Sequence, residues 1–310
     1  MRIFNSINDF STSKKTIVTL GTFDGVHIGH MAILDQIIKS AKKEGLESVI
    51  LTFFPHPRLI VSNNYDIKLL NTIEEKSALL EKIGIENFII HPFDKFFSEL
   101  SPREFVSEIL VNKLNIQKII IGHDHKFGKN RAADFNDLLN FGEEFGFSVE
   151  EISAQQINEV SVSSTKIRNS LLEGNISLAN DYLGYAYVLN GNVIKGNQLG
   201  RTIGFPTANI DISEDYKLIP KNGVYVVTAN VNNQTVFGMM NIGVKPTIGE
   251  NKLSIEVHLL NFEKDIYQQK IQIHVLERIR DEQKFESFEA LKSQLEVDKQ
   301  TTIQYFDNLK

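Results

Sequence analysis

Two patterns of apolar residues divide the chain. Up to about residue 183, short apolar runs alternate with segments of helical spacing. Ile17 to Leu20, Ser48 to Phe54, Asn87 to Ile90, Lys118 to Ile121 and Ser148 to Ile152 read as strands. Near-continuous apolar strands with helices between them imply an α/β layout, a parallel Rossmann-like sheet covered on both faces. Met31 to Ile38 reads as the helix that follows the first run. Ser101-Pro102-Arg103-Glu104 opens another, with serine as N-cap, proline at the first helical position and glutamate three residues past the cap.

From about Tyr185 the pattern changes. Tyr187 to Val193, Gly223 to Ala229, Val236 to Ile242, Leu253 to Leu260 and Lys270 to Leu276 read as closely spaced strands, with turn signals such as Asn232-Asn233 between them. Such strands without intervening helices predict an antiparallel β-barrel. Ser287 to Leu295 has helical spacing and is expected to pack across it. Glu173-Gly174-Asn175 to Gly184 reads as the end of the first domain and its linker, which sets the expected domains at 1–183 and 184–310.

The 310 residues are enough for two such domains, and 42% of them are hydrophobic, ample for real cores. The formal charge of −6, from 39 acidic and 33 basic side chains, argues against a general affinity for nucleic acid. Cysteine is absent, which excludes disulfides and thiol chemistry and is compatible with a cytosolic enzyme. No apolar run is long enough to span a bilayer, and the N-terminus lacks an apolar targeting core. A soluble, cytoplasmic protein without a membrane partner, monomeric or weakly oligomeric, is the expectation.

The candidate chemistry sits where strands end. Gly21-Thr22-Phe23-Asp24-Gly25-Val26-His27-Ile28-Gly29-His30 lies between the first strand and its helix. Open α/β sheets bind nucleotides at the carboxyl ends of their strands, where glycines admit a phosphate and a helix N-terminus offers N–H groups. Imidazoles three residues apart both face such a pocket and donate to phosphate oxygens. His27 and His30 have no third ligand at metal-like spacing, so a zinc centre is the weaker reading.

Phe53-Phe54-Pro55-His56-Pro57 ends the second strand and puts His56 at the same sheet edge, although a plain strand terminator accounts for the prolines equally well. Gly122-His123-Asp124-His125-Lys126-Phe127-Gly128 ends the fourth. In Ser163-Ser164-Thr165-Lys166-Ile167-Arg168 three hydroxyls precede a helix and suit capping, and Lys166 and Arg168 bring positive charge.

Gly21 to His30, the Phe-Pro-His-Pro turn, Gly-x-Asp with Phe-Gly, and Ser-Ser-Thr-Lys-Ile-Arg stand in this order. Together they resemble the nucleotidylyltransferase half of bacterial bifunctional riboflavin kinase/FAD synthetases. The resemblance implies that His27 and His30 are catalytic. It also implies that Gly21, Phe23, Asp24, Gly29, His56, Asp124, Ser164 and Arg168 bind ATP and its phosphates. Two residues depart from the family pattern. Lys166 replaces an arginine, which keeps the charge and loses the bidentate fork, and His125 replaces a phenylalanine or tyrosine.

The second half has its own glycine-rich stretch, Gly196-Asn197-Gln198-Leu199-Gly200-Arg201-Thr202-Ile203-Gly204-Phe205-Pro206-Thr207-Ala208-Asn209. No Gly-Lys-Ser/Thr follows, so it is not a Walker loop. On an extended backbone Thr207 and Asn209 face the same side, and a hydroxyl with an amide oxygen suits Mg²⁺. A barrel loop with a tight turn accounts for the glycines as well. Gly-Phe-Pro-Thr-Ala-Asn, the Asn241 to Thr247 segment, Glu256 to Leu260, Arg280-Asp281-Glu282 and Phe285 are similar to the riboflavin kinase module, so the resemblance spans nearly the whole chain. It implies that Glu256 is the base for the riboflavin 5′-hydroxyl and that Thr207 and Asn209 hold Mg-ATP. Gly196, Gly200, Arg201, Gly204, Pro206, Asn241 and Arg280 are then implied as ATP and flavin contacts.

The reaction so implied has two steps. Riboflavin and ATP give FMN and ADP in the barrel, and FMN with a second ATP gives FAD and pyrophosphate in the first domain. An aminoacyl-tRNA synthetase-like adenylating enzyme also fits His27-Ile28-Gly29-His30, but the acidic balance and the lack of a basic extension count against it. A flavin-binding regulator that kept the folds is opposed by the joint presence of His30, Thr207, Asn209 and Glu256.

Overall fold

The computed structural model describes residues 1–61, 67–122, 126–152, 162–196, 199–232, 234–247 and 250–309. Packing divides the chain into two units, Met1–Ser163 and Ser164–Lys310.

The first unit is built on six strands: β1 (Arg2–Phe4), β2 (Thr16–Leu20), β3 (Glu47–Phe53), β4 (Asn87–His91), β5 (Ile116–Gly122) and β6 (Ser148–Ile152). Their order is β1-β4-β3-β2-β5-β6, and every neighbouring pair is parallel. The apolar runs carry two cores by alternation. Val18, Leu20, Val49, Leu51, Ile89, Ile119 and Ile121 share one buried cluster, with Phe105, Val106, Leu110 and Leu138 packed on them. Ile17, Ile50, Phe88, Ile90 and Ile120 belong to the opposite cluster, covered by Ile33, Leu34, Ile37 and Leu80. Those covering residues come from α1 (Ile28–Glu44), α3 (Ile73–Ile83), a π-helix (Phe105–Lys113) and α6 (Phe135–Phe145). Short helices α2 (Pro57–Val61), α4 (Lys95–Ser98) and α5 (Pro102–Glu104) lie between them. The capping box expected at Ser101 and Glu104 is present.

β2 has β3 on one side and β5 on the other, so the strand order reverses there. The loops leaving β2 and β5 therefore flank the crevice where open parallel sheets take their ligands. The expected five strands gain a sixth, β1, a short edge strand paired with β4.

The second unit opens with α7 (Ser164–Glu173) and α8 (Ile176–Leu183). Six antiparallel strands follow: β7 (Tyr187–Ile194), β8 (Ala208–Asp211), β9 (Gly223–Val231), β10 (Gln234–Thr247), β11 (Glu250–Leu259) and β12 (Lys270–Arg280). They close into a barrel in the order β10-β11-β8-β7-β12-β9. The short α9 (Leu199–Thr202) joins β7 to β8, and α10 (Phe288–Asp307) ends the chain. α10 is longer than its expected core and lies against β10, where Phe306 stacks on Phe237 with ring centroids 3.8 Å apart.

The reading from sequence divided the chain at 183/184, whereas packing divides it at 163/164. The helices α7 and α8 account for the difference. Asn180 Nδ2 donates to the Val275 carbonyl of β12 at 3.0 Å, and its Oδ1 accepts from Tyr187 N–H at 2.8 Å. Lys221 N–H donates to the Leu171 carbonyl at 3.0 Å, so both helices are tied to the barrel.

Candidate active sites

The first candidate site is the turn from β2 into α1. Gly21 N–H still bonds Leu51 O at 3.1 Å, and the chain then leaves the sheet. Phe23, Gly25 and Val26 all have positive φ, 44°, 90° and 38°. Glycine adopts this region freely, while phenylalanine and valine are held there against their preference. The hold is visible in three contacts. Phe23 and Val26 are buried. Asp24 Oδ1 accepts from Leu70 N–H at 2.8 Å. The Thr22 carbonyl accepts from Lys76 Nζ at 2.6 Å and from Thr52 Oγ1 at 3.3 Å.

The turn delivers His27 to the N-cap of α1, where its side chain makes no capping bond, and His30 to the first turn beside the buried Gly29. The two imidazoles stack with centroids 3.7 Å apart and planes 20° apart, and Phe23 closes on His30 at 5.0 Å. Nδ1 of each ring is buried without a hydrogen-bond partner among the described residues. Buried polar atoms are rarely left unpaired, so two beside a helix N-terminus suit an incoming ligand. Burial lowers the His27 pKa to about 4 against the attraction of Asp24. His30 lies well below its ordinary value, through burial first and then the neighbouring His27 and Lys76. Both rings are thus neutral at pH 7 and offer hydrogen bonds rather than full charges.

His56 follows β3, which is parallel to β2, so it stands at the same sheet edge. It is buried, and its Nδ1 accepts from Arg58 N–H at 3.2 Å, which starts α2. Asp124 and His125 lie outside the described residues. Ser164 and Arg168 are on α7 in the second unit, and Lys166 is exposed between them. Lys76 was not foreseen. It is a buried lysine under the turn, its pKa lowered to about 8 by burial against the pull of Asp24.

The second candidate site lies across three neighbouring strands of the barrel. Glu256 of β11 is paired in register with Asn209 of β8 on one side and Asn241 of β10 on the other. Directly paired residues share a sheet face, so the carboxylate sits between two amides. This is the face opposite the buried Ile255, Val257 and Leu259. Thr207 Oγ1 donates to Glu256 Oε2 at 3.0 Å, and Ser254 Oγ donates to Oε1 at 3.3 Å. Gly196 lies against the Asn209 amide so closely that a Cβ there would overlap it. Gly200 sits in α9, and Gly204 ends the turn after it.

Arg201, Pro206, Thr207, Val257 and Tyr267 line a cleft of ≈ 280 Å³ that reaches Thr207, the hydroxyl partner of Glu256. His258, two residues past Glu256 on the same face, bonds the Pro206 carbonyl through Nδ1 at 2.8 Å and was also not foreseen. The expected ligand role of Arg280 meets a different arrangement. Its Nε and Nη2 grip the fully buried Asp298 of α10 at 2.9 and 2.7 Å, and Nη1 donates to the Asp281 carbonyl at 3.0 Å. The guanidinium is committed to joining β12 to α10.

Comparison with known proteins decides the family. The FAD synthetase model matches residues 9–166, and the riboflavin kinase model matches residues 183–306. The bifunctional riboflavin kinase/FMN adenylyltransferase of Listeria monocytogenes is 40% identical over 301 residues, covering 96% of this chain and 95% of its own. The chain belongs to the bifunctional riboflavin kinase/FMN adenylyltransferase family.

The similarly named proteins of Bacillus subtilis and Escherichia coli K12 are 38% and 33% identical, over 96% and 99% of this chain and 94% and 98% of theirs. A solved chain described as a macrolide-efflux protein from Streptococcus pneumoniae has the same fold. Its TM-score is 0.88 at 30% identity, over 97% of this chain and 98% of that one. No helix among the described residues is long and apolar enough to cross a membrane. The two modules of the family fall on the two sites, the His27–His30 turn in the first match and the Glu256 row in the second. α8 lies almost wholly between the two matched segments, and α7 begins only at the end of the first.

Proposed function

We propose that the chain makes FAD in two ATP-dependent steps, one at each site. In the barrel, the riboflavin 5′-hydroxyl attacks the γ-phosphorus of ATP, and FMN and ADP result. Glu256 takes the hydroxyl proton, its carboxylate oriented by the Thr207 and Ser254 hydroxyls that donate to it. The two donors and the flanking amides fix where that oxygen points, which is the larger part of what phosphoryl transfer asks of a protein.

The donor set here fits Mg²⁺: a hydroxyl and an amide oxygen are hard ligands, supplied by Thr207 and Asn209. Among the described residues no cluster of three or more His, Cys, Asp or Glu could hold a metal ion. A cation that arrives on ATP phosphates and keeps several waters needs no such cluster. Bound Mg²⁺ supplies charge screening on the transferring phosphoryl group; Thr207 and Asn209 would hold it.

In the first unit, an FMN phosphate oxygen attacks the α-phosphorus of ATP and pyrophosphate leaves. The nucleophile is already an anion, so no general base is required. His27 and His30, neutral and held at the start of α1, donate to phosphate oxygens, and the turn's amides add to the field. His56, at the same sheet edge, is assigned to ATP on the family pattern.

The observation that carries this reading is the presence, on one chain, of the stacked His27–His30 pair and the Asn209–Glu256–Asn241 row. Incubation with riboflavin, ATP and Mg²⁺ followed by flavin chromatography tests it. FMN should appear first and FAD second, with one pyrophosphate per FAD. Riboflavin that remains unchanged, or FMN that never becomes FAD, sinks the corresponding half.

A further inference from the structure

Lys76 has no part in the chemistry described above, although its surroundings are unusual for a lysine. It lies on the stripe of α3 shared with Ile73, Leu80 and Ile83, and only 4% of it is exposed. Its Nζ donates to the Thr22 carbonyl at 2.6 Å, directly before the positive-φ turn that ends at His27. Asp24 of that turn attracts the ammonium while its own Oδ1 is held by Leu70 N–H. The Lys76 charge is also felt at His30, where it disfavours protonation.

Burying an ammonium is costly, and anchoring one carbonyl does not require it, because a neutral amide donor would serve. The charge is useful there if negative charge gathers nearby in a dry site, where a fixed cation acts far more strongly than in water. With His27 and His30 both neutral at pH 7, Lys76 is the buried cation coupled to this turn among the described residues.

We propose that Lys76 is a positioning residue for adenylyl transfer, its ammonium holding the phosphate turn through Thr22 and setting a positive charge behind His30. In the step it assists, an FMN phosphate oxygen forms a bond to the α-phosphorus of ATP. The bond from that phosphorus to the bridging oxygen breaks, and its electron pair leaves with pyrophosphate. Lys76 keeps its protons throughout and touches neither substrate. The inference rests on the adenylyltransferase reading of the first unit.

The absence of cysteine from the chain makes a clean test possible. Lys76→Cys provides a single thiol, which is alkylated in denaturant and refolded. 2-Bromoethylamine restores an ammonium at nearly the length of lysine, and iodoacetamide gives a neutral amide. FMN adenylylation is measured as kcat and KM, with riboflavin phosphorylation as the control for an intact chain. Lys76→Met serves as a second neutral form that needs no refolding.

The neutral forms should lose roughly 10-fold to 100-fold in kcat with little change in the KM for FMN, less than the roughly 10²–10³ lost with a donor that touches the reacting oxygen, because Lys76 acts through the turn. The aminoethylated form should recover most of that loss. Equal recovery by both adducts, or a Lys76→Met protein with unchanged kcat, overturns the proposal, since packing alone would then suffice. Wild-type protein that makes no FAD overturns the adenylyltransferase reading and this inference together. Wild-type protein that makes FAD, with adducts that do not differ, overturns this inference alone.

Discussion

His27 and His30 stack ring on ring at 3.7 Å, each with a buried Nδ1 that no described residue satisfies. The pair is kept neutral by burial, and that has a consequence for stability. The folded-state pKa of His27, about 4, lies below its ordinary 6.5. Above pH 6.5 both folded and unfolded chains carry neutral rings, and stability is full. As pH falls from 6.5 towards 4 the unfolded chain takes up a proton that the folded chain refuses, and stability is lost.

His27 alone accounts for up to about 3 kcal/mol over that window, and His30 acts in the same direction. Thermal unfolding of the first unit should therefore show an acid limb beginning near pH 6.5, flattened in His27→Gln and His30→Gln. An unaltered limb in both variants contradicts the neutral pair. Lys76 acts at the other end: with its folded pKa lowered from 10.5 to about 8, stability should rise as pH climbs between those values.

Thr207 donates a hydrogen bond to Glu256, and on the proposed mechanism its oxygen would also hold the Mg²⁺ of ATP. Thr207→Ser keeps both, and its riboflavin kinase activity should stay within a few-fold of the parent. Thr207→Val keeps the volume and loses both. Its kcat for riboflavin should fall by about 10²-fold or more, the range for a misplaced general base, with FMN adenylylation unchanged. Steady-state assays of the two reactions on the same preparation decide it, and equal behaviour of the Ser and Val variants would remove Thr207 from the site.

Arg280 and Asp298 form a bidentate pair in which the carboxylate is fully buried. Removing the arginine leaves that charge alone, a change that typically costs about 3–5 kcal/mol. Arg280→Ala should lower the stability of the barrel unit by an amount of this order in chemical denaturation. Where the variant remains folded, its KM for ATP should match that of the parent. A raised KM with unchanged stability would return Arg280 to the list of ligand contacts.

These residues also show what was legible before any coordinates. Apolar runs bracketed by turns are a local signal, and β2 to β6 follow them to within two residues at each end. β1 and β8 are different. Each is short, and Ala208–Asp211 contains a single buried residue, Ile210, so its strand character comes from β7 and β11 on either side. His27 and His30 were legible because glycines and histidines crowd one strand-to-helix turn. Lys76 was not, although its place between Ile73 and Leu80 on the helical stripe was the available signal. The partner of Arg280 lies 18 residues away on another element, and no short-range pattern announces it. The allegiance of α7 and α8 is likewise set by remote contacts, such as Asn180 with Val275.

The central claim is that two chemistries reside in two separate sets of side chains on this chain. Parallel assays of Glu256→Ala and His30→Ala, each supplied once with riboflavin and once with FMN, test it most directly. Glu256→Ala should fail to phosphorylate riboflavin and still convert FMN to FAD. His30→Ala should accumulate FMN from riboflavin and make no FAD from either substrate. A folded variant of either kind that loses both conversions would contradict the account.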